Sequence, residues 1–362
     1  MTLFSAMPLL GEVAAAPTSV LFPLASYWWV YALFTAFVVV VLVVDLGVFH
    51  RVPHVMKFRE AAAWVVIWVT LAVLFNLGLW IYAEWRLPQM EAANPGFLAA
   101  AGYQSAKEAA STVALQFLAG YIVEQSLSVD NIFVFVVIFG FFAVPQKYQH
   151  RVLFYGILGA VIFRAIFIAL GSALLQYEWV IWVFGIFLML TGVKLLVSPE
   201  KKKDLSRNPV LRVMKRILPV TPDYHGEKFL VRVGKKLMAT PLMVALLVIE
   251  ATDVVFAVDS VPAIFAITRE PLIVFTSNIF AILGLRALYF MLAGAVDLFH
   301  LLKYGLGVVL VFVGLKMVWL NHAWDGKFPI SWSLGIIVGV IGGSVVASLL
   351  FPRKPDPHAN AA

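Results

Sequence analysis

The chain has 362 residues, of which 62% are hydrophobic and only 13% are charged, and its mean hydropathy is +0.93. Soluble domains are nearer half apolar and a quarter charged, so this composition excludes an ordinary soluble fold. The chain contains no cysteine, which excludes disulfides, thiolate metal ligands and thiol redox chemistry by its own side chains.

The net charge is +7, and the basic residues responsible for it are concentrated in one part of the chain. Eleven Lys and Arg side chains lie within residues 199–238, a segment that joins two apolar runs. A basic segment in that position is typical of a cytoplasmic loop of a membrane protein. No nucleic-acid partner is therefore predicted.

Nine mostly apolar runs follow one another along the chain, each long enough to cross a bilayer. They cover residues 28–49, 61–83, 110–142, 151–175, 178–198, 239–267, 271–296, 299–320 and 332–351. Backbone amides cannot be left unpaired in lipid, so each run is predicted to be helical. The fold class is all-α, a polytopic membrane protein. The run 110–142 is too long for one straight span, and we expect it to be tilted or broken.

Basic side chains are shared unequally between alternate connections. Most of them lie in the first, third and fifth connections and in the C-terminal tail. The even-numbered connections, on the other side of the membrane, contain few. The excess of positive charge on the cytoplasmic side then places the N-terminus outside and the C-terminus in the cytoplasm. Residues 1–27 have no basic region before the apolar run and do not resemble a cleaved signal peptide.

The chain matches itself at a shift of 122 positions. Residues 156–196 align without a gap on 278–318, with Arg164 over Arg286, and at a shift of 129 residues 124–131 align on 253–260. Runs three to five and six to eight therefore form a predicted duplication. Each unit has three spans, so the two copies must be inverted relative to each other, as in many secondary transporters.

The predicted organisation has six parts: an extracytoplasmic segment 1–27, helices one and two with an external loop in 28–109, a first repeat 110–198, a basic cytoplasmic loop 199–238, a second repeat 239–320, and a ninth helix with a cytoplasmic tail in 321–362. The ninth helix carries Gly335, Gly339 and Gly343 at four-residue spacing, which predicts close packing against another helix.

Four carboxylates fall inside the apolar runs of the repeat: Glu124, Asp130, Asp253 and Asp259. Left ionised and unpaired in lipid, they would together cost roughly 10 kcal/mol, so they are expected to face the interior of the bundle. Arg164 and Arg286 are the predicted charge partners. Four acids and two arginines leave two negative charges, which protons or a divalent cation would balance. The alternative is a set of internal ion pairs with a purely structural role.

Further oxygen atoms lie close to these acids in the sequence. Pro262 removes a backbone donor three residues after Asp259 and predicts an unwound turn near 258–262. The predicted metal ligands include Asn131 and Asn278, with Glu250, Ser128 and Ser260 as second-tier candidates. Asp45, near the inner end of the first run, is either a gate or an interfacial polar residue. Oxygen ligands suit Mn²⁺, Mg²⁺ or Ca²⁺, and the seven histidines lie outside this set.

At these same residues the chain resembles the TerC/Alx family of integral membrane proteins. The resemblance covers roughly residues 28–350, and its most specific stretches are YIVEQSLSVDNIFVF (121–135) and TPLMVALLVIEATDVVFAVDSVPAIFAIT (240–268). The resemblance implies manganese efflux, a response to alkaline pH and, by name, tellurite resistance. It also implies that the acidic motif residues, here Glu124, Asp130, Asp253 and Asp259, are metal ligands.

The resulting hypothesis is an exporter of Mn²⁺ in the bacterial inner membrane that works by alternating access with proton antiport. Mn²⁺ is then the transported substrate, no organic cofactor is expected, and the partners are the lipid bilayer and a divalent metal ion. No nucleophile–base pair or cofactor motif indicates an enzyme. Two alternatives stay open: a membrane scaffold or assembly factor for envelope stress, and a Ca²⁺ or Mg²⁺ transporter. The sequence does not determine the oligomeric state.

Overall fold

The computed structural model describes residues 20–44, 56–174, 177–197, 219–233, 236–293, 299–324 and 328–351, excluding the side chains of Asp130, Phe133, Glu178 and Asp259. Asp45, the candidate for a gate or an interfacial polar residue, and much of the basic loop lie outside the described residues.

Within these ranges, 9 helices are long and apolar enough to cross a membrane. They are α1 (Leu24–Val44), α2 (Phe58–Ala93), α3 (Ala106–Phe141), α4 (Gln146–Leu174), α5 (Glu178–Val197), α6 (Pro241–Phe265), α7 (Pro271–Leu292), α8 (Leu302–Ala323) and α9 (Ile330–Leu350). The all-α polytopic fold is confirmed, and each predicted run corresponds to one helix. A single turn, Phe97–Ala100, lies between α2 and α3.

A break in the run 110–142 and an unwound turn near 258–262 are both contradicted by the structure, whereas a tilt of the first of these helices stays a prediction. Helix α3 is continuous over its 36 residues and begins at Ser105, whose hydroxyl accepts a hydrogen bond from the backbone N–H of Glu108. Helix α6 is continuous through Pro262, so there is no unwound turn near 258–262. Proline removes one hydrogen bond and crowds the carbonyl four residues earlier. Here it lies in the last turn of α6, where few helical bonds remain to be disturbed.

Helix α7 is the central element, because every residue from Leu272 to Tyr289 on it is buried. It packs against α2, α3 and α4, while α4 also packs against α6 and α5 packs mainly against α8. In the predicted repeat, α3, α4 and α5 correspond to α6, α7 and α8. If each helix is replaced by its counterpart, the contact between α3 and α7 becomes the contact between α6 and α4, and the contact between α5 and α8 is unchanged. This packing is compatible with a two-fold relation between the units, whose inverted orientation stays a prediction.

The crossing of α5 and α8 depends on four glycines. A Cβ on Gly192 would lie 2.6 Å from the carbonyl oxygen of Gly307, and one on Gly314 would lie 2.5 Å from that of Gly185. The earlier glycine of each helix faces the later glycine of the other, so the two helices run in opposite directions. The two backbones touch at both points, and neither point has room for a side chain.

The glycines of α9 behave differently from the prediction. A Cβ added at Gly335, Gly339 or Gly343 would meet no atom of the described residues within 4 Å, and all three positions are exposed. The expectation that they mark close helix packing is therefore wrong within this chain. The contact between α9 and α8 instead uses Ser344, which lies against Gly305.

A hairpin that the sequence analysis did not predict precedes α6. Strands β1 (Leu230–Val233) and β2 (Lys236–Ala239) pair antiparallel. Arg151 at the start of α4 bonds the carboxylate of Glu227 at 2.6 Å, and the Tyr224 hydroxyl donates to the Phe142 carbonyl at 2.6 Å. These contacts hold the described end of the basic loop against the α3–α4 connection.

Candidate cation site

Four helices bring polar side chains together in the interior of the bundle. Glu124 on α3, Arg164 on α4 and Asn278 on α7 are each 0% exposed, and Asp253 on α6 is 2% exposed. Burial of this kind requires that the charged groups find partners within the protein. The four side chains form one cluster, which we call the polar cluster.

Arg164 is the centre of this cluster. Its Nη1 donates to the Glu124 carboxylate and to Oδ1 of Asn278 at 2.7 Å. Its Nη2 lies 3.5 Å from Oδ1 of Asp253, which forms a second ion pair. One guanidinium thus faces two carboxylates, contributed by two different helices.

Neutral groups complete the arrangement. Nδ2 of Asn278 donates to the second carboxylate oxygen of Glu124 at 3.4 Å, and Arg164 Nη1 lies 3.4 Å from the Ser260 hydroxyl. Ser260 follows Asp253 by seven residues, which places both on one face of α6. Helix α6 therefore supplies an acid and a hydroxyl to the same side of the bundle.

The polar cluster has unused acceptor capacity. Among the described residues, Oδ2 of Asp253 is buried and receives no hydrogen bond, and Nε and Nη2 of Arg164 are buried donors without a hydrogen-bond acceptor. Outside the cluster but on the same helices, Oε2 of Glu250 and the hydroxyl of Ser128 are also buried without a hydrogen bond. With both acids ionised, Glu124 and Asp253 carry one more charge than Arg164 neutralises. Buried oxygens without donors, combined with surplus negative charge, suit a small hard cation.

Other predicted ligands lie on the same helices. Ser128 and Asn131 follow Glu124 by four and seven residues, are 0% and 2% exposed, and share its face of α3. The side chains of Asp130 and Asp259 lie outside the described part of the structure. Among the side chains that the structure does describe, no group of three or more Asp, Glu and His is arranged to hold a metal ion.

Glu250 has a neighbour that sequence reasoning missed. Its carboxylate lies directly against Gly159 on α4, where a Cβ would overlap both carboxylate oxygens. Glu250 precedes Asp253 by three residues, so it lies one turn away on a neighbouring face. The absence of a side chain at Gly159 makes room for this acid, and no pattern in a single sequence indicates such a pairing.

Two further buried cations lie on α7 and α8. Arg286 is 4% exposed and follows Asn278 by eight residues, about 12 Å of helical rise. Lys316 is also 4% exposed and begins a π-helical turn, Lys316–Leu320, in α8. In the internal match of 156–196 with 278–318, Lys194 aligns with Lys316, but neither lysine was among the predicted site residues. Lys194 itself is exposed.

The sequence of this chain is similar to those of known membrane proteins. The sequence profile of the integral membrane protein TerC family matches residues 109–356. A membrane protein of Myxococcus xanthus, STKORF319, is 48% identical over 342 residues, which cover 94% of this chain and 98% of that protein.

Two enterobacterial relatives are also similar to this chain. The Escherichia coli K12 protein is 44% identical over 310 residues, covering 85% of this chain and 90% of that protein. The Salmonella typhi protein is 43% identical over 330 residues, covering 91% and 96%. Both carry the provisional name membrane-bound redox modulator Alx. No solved structure gives a significant match.

Proposed function

The chain belongs to the TerC family of integral membrane proteins, and we propose that it exports a divalent cation, Mn²⁺ first among them, across the bacterial inner membrane. The observation that carries this proposal is the polar cluster, in which two buried carboxylates share one guanidinium and leave buried oxygens without donors. Charged groups within a membrane are costly and therefore rare, so their presence is by default an indication of a functional site.

The substrate would lie between the two predicted repeat units. Glu124 and Arg164 belong to the first unit and Asp253, Ser260 and Asn278 to the second, so a relative movement of the units changes the distances among these groups. Alternating access of this kind exposes a central site to one side of the membrane at a time. Arg164 would hold the acids in place while the site carries no cation.

Protons are the expected counter-substrate. A carboxylate that binds a cation must be deprotonated, so a proton and a cation compete for the same oxygen. Proton entry from outside would then favour release of the metal ion on that side. The same competition predicts that export depends on the pH difference across the membrane.

Two other functions are compatible with parts of this picture. Carboxylate, amide and hydroxyl oxygens would also accept Ca²⁺ or Mg²⁺. In a scaffold, by contrast, the polar cluster would serve only to hold the helices together. The name of the relatives refers to redox modulation. Thiol redox chemistry by this chain's own side chains is excluded, because the chain has no cysteine.

A flux assay in proteoliposomes tests the proposal. Purified protein is reconstituted with a metal-sensitive dye inside, and uptake of Mn²⁺, Ca²⁺ and Mg²⁺ is compared with and without a pH gradient. We expect Mn²⁺ flux that the gradient accelerates. Glu124→Gln, Asp253→Asn, Asp130→Asn and Asp259→Asn should each reduce it by at least about tenfold, the usual scale for loss of a metal-site group.

The matched control is Glu227→Gln, which neutralises an acid in the hairpin region, where Arg151 is its partner. This variant should transport at the unaltered rate. Flux of all three ions equal to that of empty liposomes would contradict a transporter and favour the scaffold. Equal flux in the four acid variants and the unaltered protein would contradict the site.

A further inference from the structure

The connection between α6 and α7 carries a buried carboxylate outside the polar cluster. Glu270 is 7% exposed and occupies the N-cap position of α7, but its side chain makes no capping bond to that helix. Its Oε1 instead accepts from the backbone N–H of Leu21 at 2.7 Å, and its Oε2 accepts from that of Phe22 at 3.1 Å. Two charge-assisted hydrogen bonds therefore fasten the segment before α1 to the start of the central helix.

The fastened segment lies inside the bundle. Leu21 and Phe22 are both 0% exposed and belong to the apolar core that surrounds α7. The Phe22 ring also packs edge-on against Tyr27 in the first turn of α1, with 5.3 Å between ring centroids. The segment therefore covers the start of α7. We call the contact of Leu21 and Phe22 with Glu270 the latch.

Hydrogen bonds extend the latch to α3. The backbone N–H of Glu270 donates to the Thr268 hydroxyl at 3.2 Å, and that hydroxyl donates to Oε1 of Gln116 at 2.7 Å. Tyr103, in the connection before α3, is close enough that burial and the Glu270 carboxylate together raise the pKa of its phenol. The latch thus joins the starts of α1, α3 and α7 at one end of the bundle.

Below the latch, α3 and α7 are in close contact. A Cβ on Gly120 would lie 2.9 Å from the hydroxyl of Ser277, so no space is left between the helices at this level. Gln116 precedes Glu124 by eight residues and Glu270 precedes Asn278 by eight, each about 12 Å of helical rise. The order from this end inward is therefore latch, close contact and polar cluster.

We propose that Glu270 is a gating residue, whose hold on Leu21 and Phe22 closes the path between the polar cluster and one face of the membrane. The role rests on the proposed function, because the gated path is the path of the transported cation. By the charge-based orientation this face is the external one, and the structure represents the state closed toward it. Release of a cation to that side requires the latch to open.

Cysteine labelling tests the latch directly. The chain contains no cysteine, so a Ser277→Cys reporter at the close contact is the single target of a water-soluble maleimide in purified, metal-free protein. Glu270→Gln keeps the side-chain shape but replaces one acceptor oxygen by a donor. We expect it to raise the labelling rate about tenfold or more, which corresponds to losing one hydrogen bond to a charged group.

Glu91→Gln is the matched control. Glu91, near the end of α2, also accepts two backbone hydrogen bonds at 2.8 Å each, but its donors are Gly96 and Leu98 in the α2–α3 connection and not Leu21 or Phe22. Labelling of the Ser277→Cys reporter should stay slow in this variant. A Val152→Cys reporter, at a position of α4 that is 0% exposed, should stay protected when Glu270→Gln is introduced.

Two results would overturn the latch. One is Ser277→Cys labelling that is equally slow with Glu270 and with Gln at that position. The other is equal acceleration at Ser277→Cys and Val152→Cys, which would show general loosening instead of a gate. Labelling requires no transport, so a negative flux assay would leave the latch standing, and unchanged labelling would leave the proposed transport standing.

Discussion

At the scale of single residues, the sequence identifies Glu124, Asp253 and Arg164 as buried charges but does not show how they are paired. Helical spacing alone leaves Arg164 free to face any acid on a neighbouring helix. The structure shows that Arg164 bonds Glu124 and lies 3.5 Å from Asp253, while Asn278 contacts both Arg164 and Glu124. Pairing depends on which faces of four helices meet, and those faces are chosen by packing along the whole length of each helix.

Gly159 provides a prediction at this scale. A methyl group there must displace the Glu250 carboxylate, because a Cβ would overlap both of its oxygens. If Glu250 helps to hold the substrate, Gly159→Ala should reduce Mn²⁺ flux in proteoliposomes on the order of tenfold, as changes next to metal ligands do. Thermal unfolding should be measured in parallel to confirm that the variant is folded.

The control for this prediction is Gly156→Ala, one turn earlier on α4. A Cβ at Gly156 would lie 3.4 Å from Cγ2 of Ile249, which is ordinary contact. Its flux should match that of the unaltered protein. Equal flux in the Gly159→Ala and Gly156→Ala variants would show that the position of the Glu250 carboxylate does not affect transport.

At the scale of elements, spans follow from apolar length, but helix continuity and helix contacts do not. Pro262 suggested a broken α6, and its place in the last turn makes a break unnecessary. The glycines of α9 have the spacing of a packing motif and yet contact no other helix among the described residues, whereas those of α5 and α8 allow two backbones to touch. Glycine spacing shows where contact is sterically allowed, and only the neighbouring helix decides whether contact occurs.

The second prediction concerns the contribution of the α5–α8 crossing to stability. Gly192→Ala places a methyl group 2.6 Å from the Gly307 carbonyl oxygen and 2.8 Å from the backbone N of Val311, so the helices must separate. We expect a loss of about 1–3 kcal/mol in the free energy of unfolding, the usual cost of overpacking. Thermal or SDS unfolding of purified protein measures this loss.

Gly339→Ala on α9 is the matched substitution, because nothing lies within 4 Å of its Cβ. Its stability should equal or slightly exceed that of the parent protein, since alanine favours helix more than glycine does. A loss as large as that of Gly192→Ala would mean that α9 packs against something outside this chain.

At the scale of the whole molecule, the distribution of basic residues predicts orientation. Gln104, before α3, is exposed on the side of the latch, and His225, before the hairpin, is exposed on the side of the α3–α4 connection. The positive-inside rule places the first outside the cell and the second in the cytoplasm. Opposite exposure of these two sites is therefore the expected result.

Single cysteines test this orientation in intact cells. A membrane-impermeant maleimide should label Gln104→Cys in intact cells, and should label His225→Cys only after the membrane is permeabilised. The reverse pattern would invert the topology and place the latch on the cytoplasmic side. Because the chain has no other cysteine, labelling reports these positions alone.

The sequence by itself determined that this is a helical membrane protein with several apolar spans and with acids inside those spans. Both conclusions follow from the cost of placing polar groups in lipid, and that cost depends on residue type and run length. Only the tertiary structure decided which charges share Arg164, that Gly159 makes room for Glu250, and that Glu270 binds a segment 249 residues away. Those contacts join helices that are distant in the chain, and they exist only when all helices are packed together.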